Sequence, residues 1–97
     1  HALVLTPDIV SEDFILQHGK PDILIIDPPR SGIHPQVIET ILKIRPKTLI
    51  YVSCNPSTQA RDIFALKENY NVKQIQPVDM FPNTYHVENI CALELKA

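Results

Sequence analysis

The sequence predicts an α/β protein with a mostly parallel sheet and an antiparallel final strand. Three observations lead there. Two apolar runs, Ile23-Leu24-Ile25-Ile26 and Leu49-Ile50-Tyr51-Val52, have the length and β-branching of buried strands, and both give way within a few residues to proline. Each is followed by a segment whose apolar residues recur at helical spacing, and strands alternating with helices imply right-handed crossovers between parallel neighbours. The last two strands are joined by a loop too short for a crossover helix, so they should be antiparallel. The order read along the chain is α-β-α-β-α-β-β, with four strands.

Residues 1–7 are a short apolar run that reads as a strand or loop ending at Thr6-Pro7. Thr6 and Pro7 suit an N-cap and first helical position, and Ile9, Val10, Phe14 and Ile15 predict a helix over about 8–17, stopped by His18-Gly19. Ile23–Ile26 follows as a strand expected to be buried on both faces. Pro28 and Pro29 stop it and force Asp27 into an extended conformation, which presents its carboxylate at the strand's carboxyl end.

A helix over about 34–44 turns Val37, Ile38, Ile41, Leu42 and Ile44 inward, and Pro46 ends it. The strand at about 47–53 leads to Asn55 and Pro56, an N-cap and first helical residue, and a helix to about Leu66 with Ala60, Ile63, Phe64 and Leu66 inward. After a break at Tyr70-Asn71, residues 72–78 alternate apolar with polar, as an edge strand does. A loop at 79–86 leads to a largely buried strand at about 87–96.

Composition bounds the function without naming it. Hydrophobic residues at 44% and charged residues at 21% fit a folded domain, and the net charge of -2 provides no basic field for nucleic acid. Cys54 and Cys91 lack CxxC spacing and belong to no His/Cys cluster, so no metal is expected. No signal peptide or membrane-length apolar run is visible, which points to a soluble, cytoplasmic protein with free thiols. Gly19 and Gly32 are the only glycines, which rules out a GxGxxG cofactor loop. The chain begins His1-Ala2-Leu3 and its one methionine is Met80, so it is read as a single partial domain, residues 1–97 of something longer.

The residues able to do chemistry gather on one rim. Cys54 is either a small buried residue or a reactive thiol; its place between a strand end and a helix N-terminus suits the second role, because the partial positive charge there favours an anionic sulfur. Ligands of open α/β sheets bind at this carboxyl edge. Asp27 and Arg30 lie on a proline-stiffened loop one strand earlier. His86 and Glu88, two apart, share a face of the last strand, whose start reaches the same edge if it pairs antiparallel with the Cys54 strand. Cys91 reads as core. Arg61-Asp62 reads as a surface ion pair, worth little.

Three stretches carry a family likeness: Asp27-Pro28-Pro29-Arg30-Ser31-Gly32, Tyr51-Val52-Ser53-Cys54-Asn55-Pro56-Ser57-Thr58-Gln59-Ala60-Arg61-Asp62, and Asp79-Met80-Phe81-Pro82-Asn83-Thr84-Tyr85-His86-Val87-Glu88. In this order and spacing they resemble the RNA uracil-5-methyltransferase family, which makes 5-methyluridine in ribosomal and transfer RNA. The resemblance runs from about residue 8 to the end. It implies the carboxyl-terminal half of a Rossmann-like catalytic domain that uses S-adenosylmethionine on an RNA partner. It also implies roles: Cys54 as nucleophile, Glu88 as general base, and Asp27 at the junction of cofactor and target uracil, with Arg30, Asn55, Thr84 and His86 in the substrate-binding motifs.

The chain departs from the family pattern by lacking the glycine-bearing cofactor half and the RNA-binding domain. The 97 residues alone are therefore expected to be inactive, and the Ile23–Ile26 strand is expected to present an uncovered edge through which two copies pair. Two readings compete with the methyltransferase: a non-catalytic α/β binding module, and a cysteine hydrolase using Cys54, His86 and Glu88.

Overall fold

The computed structural model of the chain describes residues 2–5, 19, 21–79 and 87–97. The helix predicted over about 8–17 and most of the loop predicted at 79–86, including Thr84 and His86, lie outside the described residues. The described elements are strands β1 (Ala2–Leu5) and β2 (Ile23–Ile26), helix α1 (Pro35–Ile44), strand β3 (Thr48–Ser53), helix α2 (Pro56–Leu66), and strands β4 (Tyr70–Asp79) and β5 (Val87–Leu95).

They form one five-stranded sheet in the order β1-β2-β3-β5-β4. β1, β2 and β3 are parallel. β5 is antiparallel to both of its neighbours, β3 and β4. The β3–α2–β4 connection is thus a parallel crossover into whose gap the last strand inserts. The α/β class, the parallel segment and the antiparallel ending agree with the sequence reading.

The strand count does not, because the opening apolar run is a fifth strand. Ala2–Leu5 pairs residue for residue with Ile23–Ile26. β2 is therefore an interior strand paired on both sides, so the expected uncovered β2 edge, and dimerisation through it, are not supported. Nor is β2 buried on both faces: Leu24 and Ile26 are fully buried, whereas Ile25 is half-buried and Ile23 is 40% exposed. Leu24 and Ile26 share a face with their register partners Leu49 and Tyr51, and Ile41 of α1 and Leu66 of α2 pack into the same core cluster. The two described helices cover that face alone.

Each helix has local reasons for its limits. α1 begins at His34, whose Nδ1 accepts from Gln36 N at 3.1 Å, and Pro35 supplies a preset first turn. It ends at Arg45, in the left-handed region at φ 47°, whose N–H closes onto Ile41 O at 2.9 Å; Pro46 bars further helix. In α2 the inward stripe is Gln59, Asp62 and Leu66, with Ile63 packed against the core. The inward reading of Ala60 and Phe64 is corrected: both are exposed, Phe64 at 67%, with the Lys67 ammonium 4.0 Å from the centre of its ring.

β4 is the edge strand expected from its mixed polarity, although it starts earlier, at Tyr70. It protects itself with a bulge between Val72 and Gln74, with Lys73, and with Pro77, which cannot donate to an intruding strand. Tyr70 itself is buried, and its hydroxyl donates to Pro46 O at 2.7 Å. Burial pushes its phenol up to about 12.

Because the folded chain favours the neutral phenol, this contribution to stability is complete below the ordinary tyrosine value of about 10 and is lost as the pH rises towards about 12. The melting temperature should fall across that window, with tyrosinate absorbance appearing together with unfolding. A melting temperature constant over it would contradict this assignment. Among the described residues no helix is long and apolar enough to cross a membrane.

Candidate active site

Cys54 follows the last residue of β3 and is exposed, with its thiol free. The turn that carries it is fastened on both sides. Ser53 Oγ accepts from Asn55 N at 2.9 Å and donates to Asn55 O at 3.0 Å, bracketing the cysteine within one residue on either side. Asn55 then caps α2: its Oδ1 accepts from Ser57 N at 3.1 Å, with Pro56 as the first helical residue. An exposed sulfur on a turn this constrained is held in place by its neighbours without packing against them. Cys91, by contrast, is buried inside β5, and burial pushes its thiol up, as suits a core residue.

The Asp27–Gly32 loop reaches the same rim because β2 and β3 run parallel with Ile26 opposite Tyr51. Asp27 is exposed at the end of its strand. The loop makes a tight turn, Gly32 N donating to Pro29 O at 2.8 Å, and it is held by α2. Arg30 O accepts from Asn55 Nδ2 at 3.1 Å and from Thr58 Oγ1 at 3.0 Å, Ser31 O accepts from Arg61 Nη2 at 2.8 Å, and Ile33 N donates to Asp62 Oδ2 at 2.8 Å. Gly32 sits at φ +90°, and a Cβ there would fall 2.5 Å from the Arg61 guanidinium and 2.7 Å from the Asp62 carboxylate. The loop can lie this close only because that position has no side chain. Two motifs far apart in sequence are thereby one rigid unit.

Asp62 is not the surface residue read from its charge. It is 3% exposed and accepts from Tyr51 Oη at 2.6 Å as well as from Ile33 N, while Arg61 approaches its other oxygen at 3.2 Å. Burial first, and then the hydrogen bond to this carboxylate, push the Tyr51 phenol far above the ordinary tyrosine range. The helical period was the signal available: Gln59, Asp62, Ile63 and Leu66 form one stripe at spacings of three and four. Reading the apolar members alone set the phase of the helix wrongly.

Glu88 is the second residue of β5 and half-buried. The next residue, Asn89, is paired with Ser53, so the start of β5 does reach the carboxyl end of β3. Gln59, which the sequence reading passed over, joins these parts. Its Nε2 donates to Tyr51 O at 3.1 Å and to Asn89 O at 3.0 Å, and its Oε1 accepts from Asn89 Nδ2 at 2.8 Å. Cys54, Asp27, Arg30 and Glu88 are therefore brought to one sheet edge. Asn55 is there too, but both ends of its carboxamide are occupied within the chain.

An open cleft of about 950 Å³ lies beside this rim, between the Ile26–Thr40 segment and α2. Asp27 lines it; Cys54 and Glu88 do not. Among the described residues no three His, Cys, Asp or Glu side chains gather as a metal site requires.

The profile of the tRNA (uracil-5-)-methyltransferase family matches residues 8–96. An uncharacterized RNA methyltransferase of Bacteroides thetaiotaomicron is 56% identical over 89 residues, which are 92% of this chain and 20% of the relative. One from Porphyromonas gingivalis is 53% identical over 88 residues, 89% of this chain and 19% of the relative. The chain thus spans about a fifth of the length of these relatives.

Among solved structures, the Pyrococcus abyssi tRNA (uracil-54, C5)-methyltransferase, in complex with S-adenosyl-L-homocysteine, superimposes with a TM-score of 0.67. It is 44% identical, over 74% of this chain and 18% of that one. M1.HpyAVI superimposes with a TM-score of 0.63 at 20% identity, over 99% of this chain and 56% of that one, a likeness of fold alone. The fold is thus that of a Rossmann-like methyltransferase, and the chain belongs to the tRNA (uracil-5-)-methyltransferase family.

Proposed function

We propose that the full-length protein carrying this chain transfers a methyl group from S-adenosylmethionine to carbon 5 of a uridine in transfer or ribosomal RNA. Residues 1–97 would form the carboxyl-terminal part of its catalytic domain. One observation carries the reading: an exposed thiol on a fastened turn shares a sheet edge with Asp27 and with the start of the strand that bears Glu88. Family membership supplies the substrate class, and the S-adenosyl-L-homocysteine complex of the archaeal relative supports the cofactor.

The residues present fit the cofactor in part. Asp27 is an exposed carboxylate able to accept from a ligand amine or hydroxyl on the cofactor side of the rim. Gly32 and Gly19 are too few to form a glycine-rich GxGxxG turn that would receive the rest of the molecule. When bound, S-adenosylmethionine supplies the electrophilic methyl group that carbon 5 of uracil accepts.

The chain's own residues prepare that carbon and then release it. Carbon 5 of uracil is a poor nucleophile. Cys54 Sγ adds to carbon 6, forming a C–S bond and moving the 5,6 electron pair towards carbon 5 and the adjoining carbonyl. After methylation, Glu88 accepts the proton from carbon 5. The freed electron pair restores the 5,6 double bond as the C–S bond breaks, and Cys54 leaves as it entered. Arg30, exposed on the clamped loop, suits a phosphate contact. Thr84 and His86 keep the substrate-binding roles their motif implies. Asn55, engaged at both ends, is assigned to holding the Arg30 loop against the cysteine turn.

The test is direct. The full-length protein is incubated with labelled S-adenosylmethionine and unmodified tRNA or rRNA transcripts, and the nucleosides are resolved by mass spectrometry. Label in 5-methyluridine is expected. Label on another base, or on a ribose, would overturn the proposal.

A further inference from the structure

We infer that Gln59 is a positioning residue that sets the general base against the nucleophile. The inference rests on the proposed roles of Cys54 and Glu88. Gln59 is 2% exposed, on the face of α2 that meets the sheet. A buried carboxamide is costly unless its polar atoms are paired, and here both of its N–H donors and its oxygen are used. The partners come from the two strands that carry the site. Tyr51 O belongs to β3, three residues before Cys54; Asn89 O and Nδ2 belong to β5, one residue after Glu88.

The register shows what this bond set controls. Ser53 opposite Asn89 is the last pair between β3 and β5, and one further step along each strand arrives at Cys54 and Glu88. Beyond that pair no ladder contact joins β3 to β5, and Glu88 is paired on its other side with Val78 of β4. The nucleophile's side is held by Ser53 Oγ, which brackets the turn. On the base's side, besides the pairing with Val78, the Gln59–Asn89 bonds tie the next residue to α2, whose N-terminus starts directly after the same turn. Gln59 thus ties the helix that follows the thiol to the strand that carries the carboxylate.

Loss of this tie should spare one step and slow another. Addition of Cys54 to carbon 6 needs only the turn, which Ser53 and Asn55 hold without Gln59. Removal of the carbon 5 proton needs Glu88 at a defined place, and a displacement of about 1 Å can cost about 100-fold. If the proton stays on carbon 5, the 5,6 double bond cannot reform, the C–S bond cannot break, and a methylated covalent complex persists on ordinary uridine.

The experiment uses the full-length protein with Gln59→Met, which keeps the side-chain length and removes the hydrogen bonds. A companion Asn89→Ala variant deletes only the side-chain half of the tie. Both are first checked for a cooperative thermal transition. The rate of covalent complex formation with RNA containing 5-fluorouridine reports the Cys54 step. Turnover, and denaturant-stable complex on ordinary uridine RNA, report the Glu88 step.

The expected result is an unchanged rate of complex formation, turnover lower by about 10- to 100-fold, and accumulated methylated complex, with Asn89→Ala showing a smaller effect in the same direction. Wild-type behaviour in a folded Gln59→Met variant would overturn the inference. So would an equal loss in both steps, which marks a purely structural role. If the wild-type protein itself forms no complex with the fluorinated RNA, the Cys54 reading fails first, and that outcome is distinct from either.

Discussion

Replacing Cys54 with alanine in the full-length protein should abolish its covalent complex with RNA containing 5-fluorouridine. Turnover on ordinary uridine should fall by at least about 10⁴-fold, because the step that makes carbon 5 nucleophilic has no substitute among the neighbouring side chains. With the roles proposed for Cys54 and Glu88, fluorine at carbon 5 leaves no proton to remove, so the wild-type complex should be trapped after methylation and be countable on a denaturing gel.

The structure separates this loss from misfolding. The thiol is exposed, and the turn around it is fixed by Ser53 and Asn55. Cys54→Ala should therefore change stability by less than about 0.5 kcal/mol, as for a surface site. An undiminished complex from the alanine variant would remove Cys54 as the nucleophile. A loss of complex accompanied by a large fall in melting temperature would show the thiol to be structural instead.

Replacing Asp62 with alanine should have the largest effect on stability. The substitution strands the Tyr51 hydroxyl and the Ile33 N–H, both of which bond to Asp62 Oδ2 at 2.6 and 2.8 Å in a buried setting. It also removes the carboxylate partner of Arg61, whose other bond is to Ser31 O. Leaving buried donors unpaired costs about 1–3 kcal/mol per group, more where the lost acceptor was charged. A total near 3 kcal/mol is expected, a large fraction of the stability of a small domain.

At about 4–8 °C per kcal/mol for a chain of this size, the melting temperature should drop by more than 10 °C. Asp62→Asn, which keeps an acceptor oxygen, should lose clearly less. Chemical denaturation of the two variants checks the order; a change below about 0.5 kcal/mol in Asp62→Ala would refute the burial argument. Because the same carboxylate holds Ile33 N at the end of the Asp27–Gly32 loop, activity should fall along with stability.

Some elements could be located from local chemistry. Pro28 and Pro29 stop β2 wherever the rest of the chain lies, and Asn55-Pro56 starts α2 by capping geometry that the structure reproduces. The short link before the last strand required antiparallel pairing, and β5 is antiparallel. The rim of Asp27, Cys54 and Glu88 followed from where those strands end.

Other features were hidden because they depend on what lies across space. Asp62 has the charge of a surface residue, and only the approach of Tyr51, Ile33 and Gly32 makes its burial favourable. Phe64 has the apolarity of a core residue, yet the phase of α2 is set by Gln59, Asp62 and Leu66, which turns Phe64 outward. Ala2–Leu5 becomes a strand because β2 offers it a parallel edge, a contact that four residues cannot announce by themselves.

By itself, then, the sequence determined the α/β class, the ends of its central strands, the turn that carries Cys54 and the family whose motifs it bears. These are properties of neighbouring residues: proline geometry, capping and hydrophobic period. Tertiary structure alone decided that the Asp27–Gly32 loop and α2 are one unit, that Asp62 and Gln59 are interior, and that β2 lies within the sheet. Each of these rests on a hydrogen bond or strand pairing between residues far apart in the chain, where a polar group becomes favourable inside only when its partner arrives.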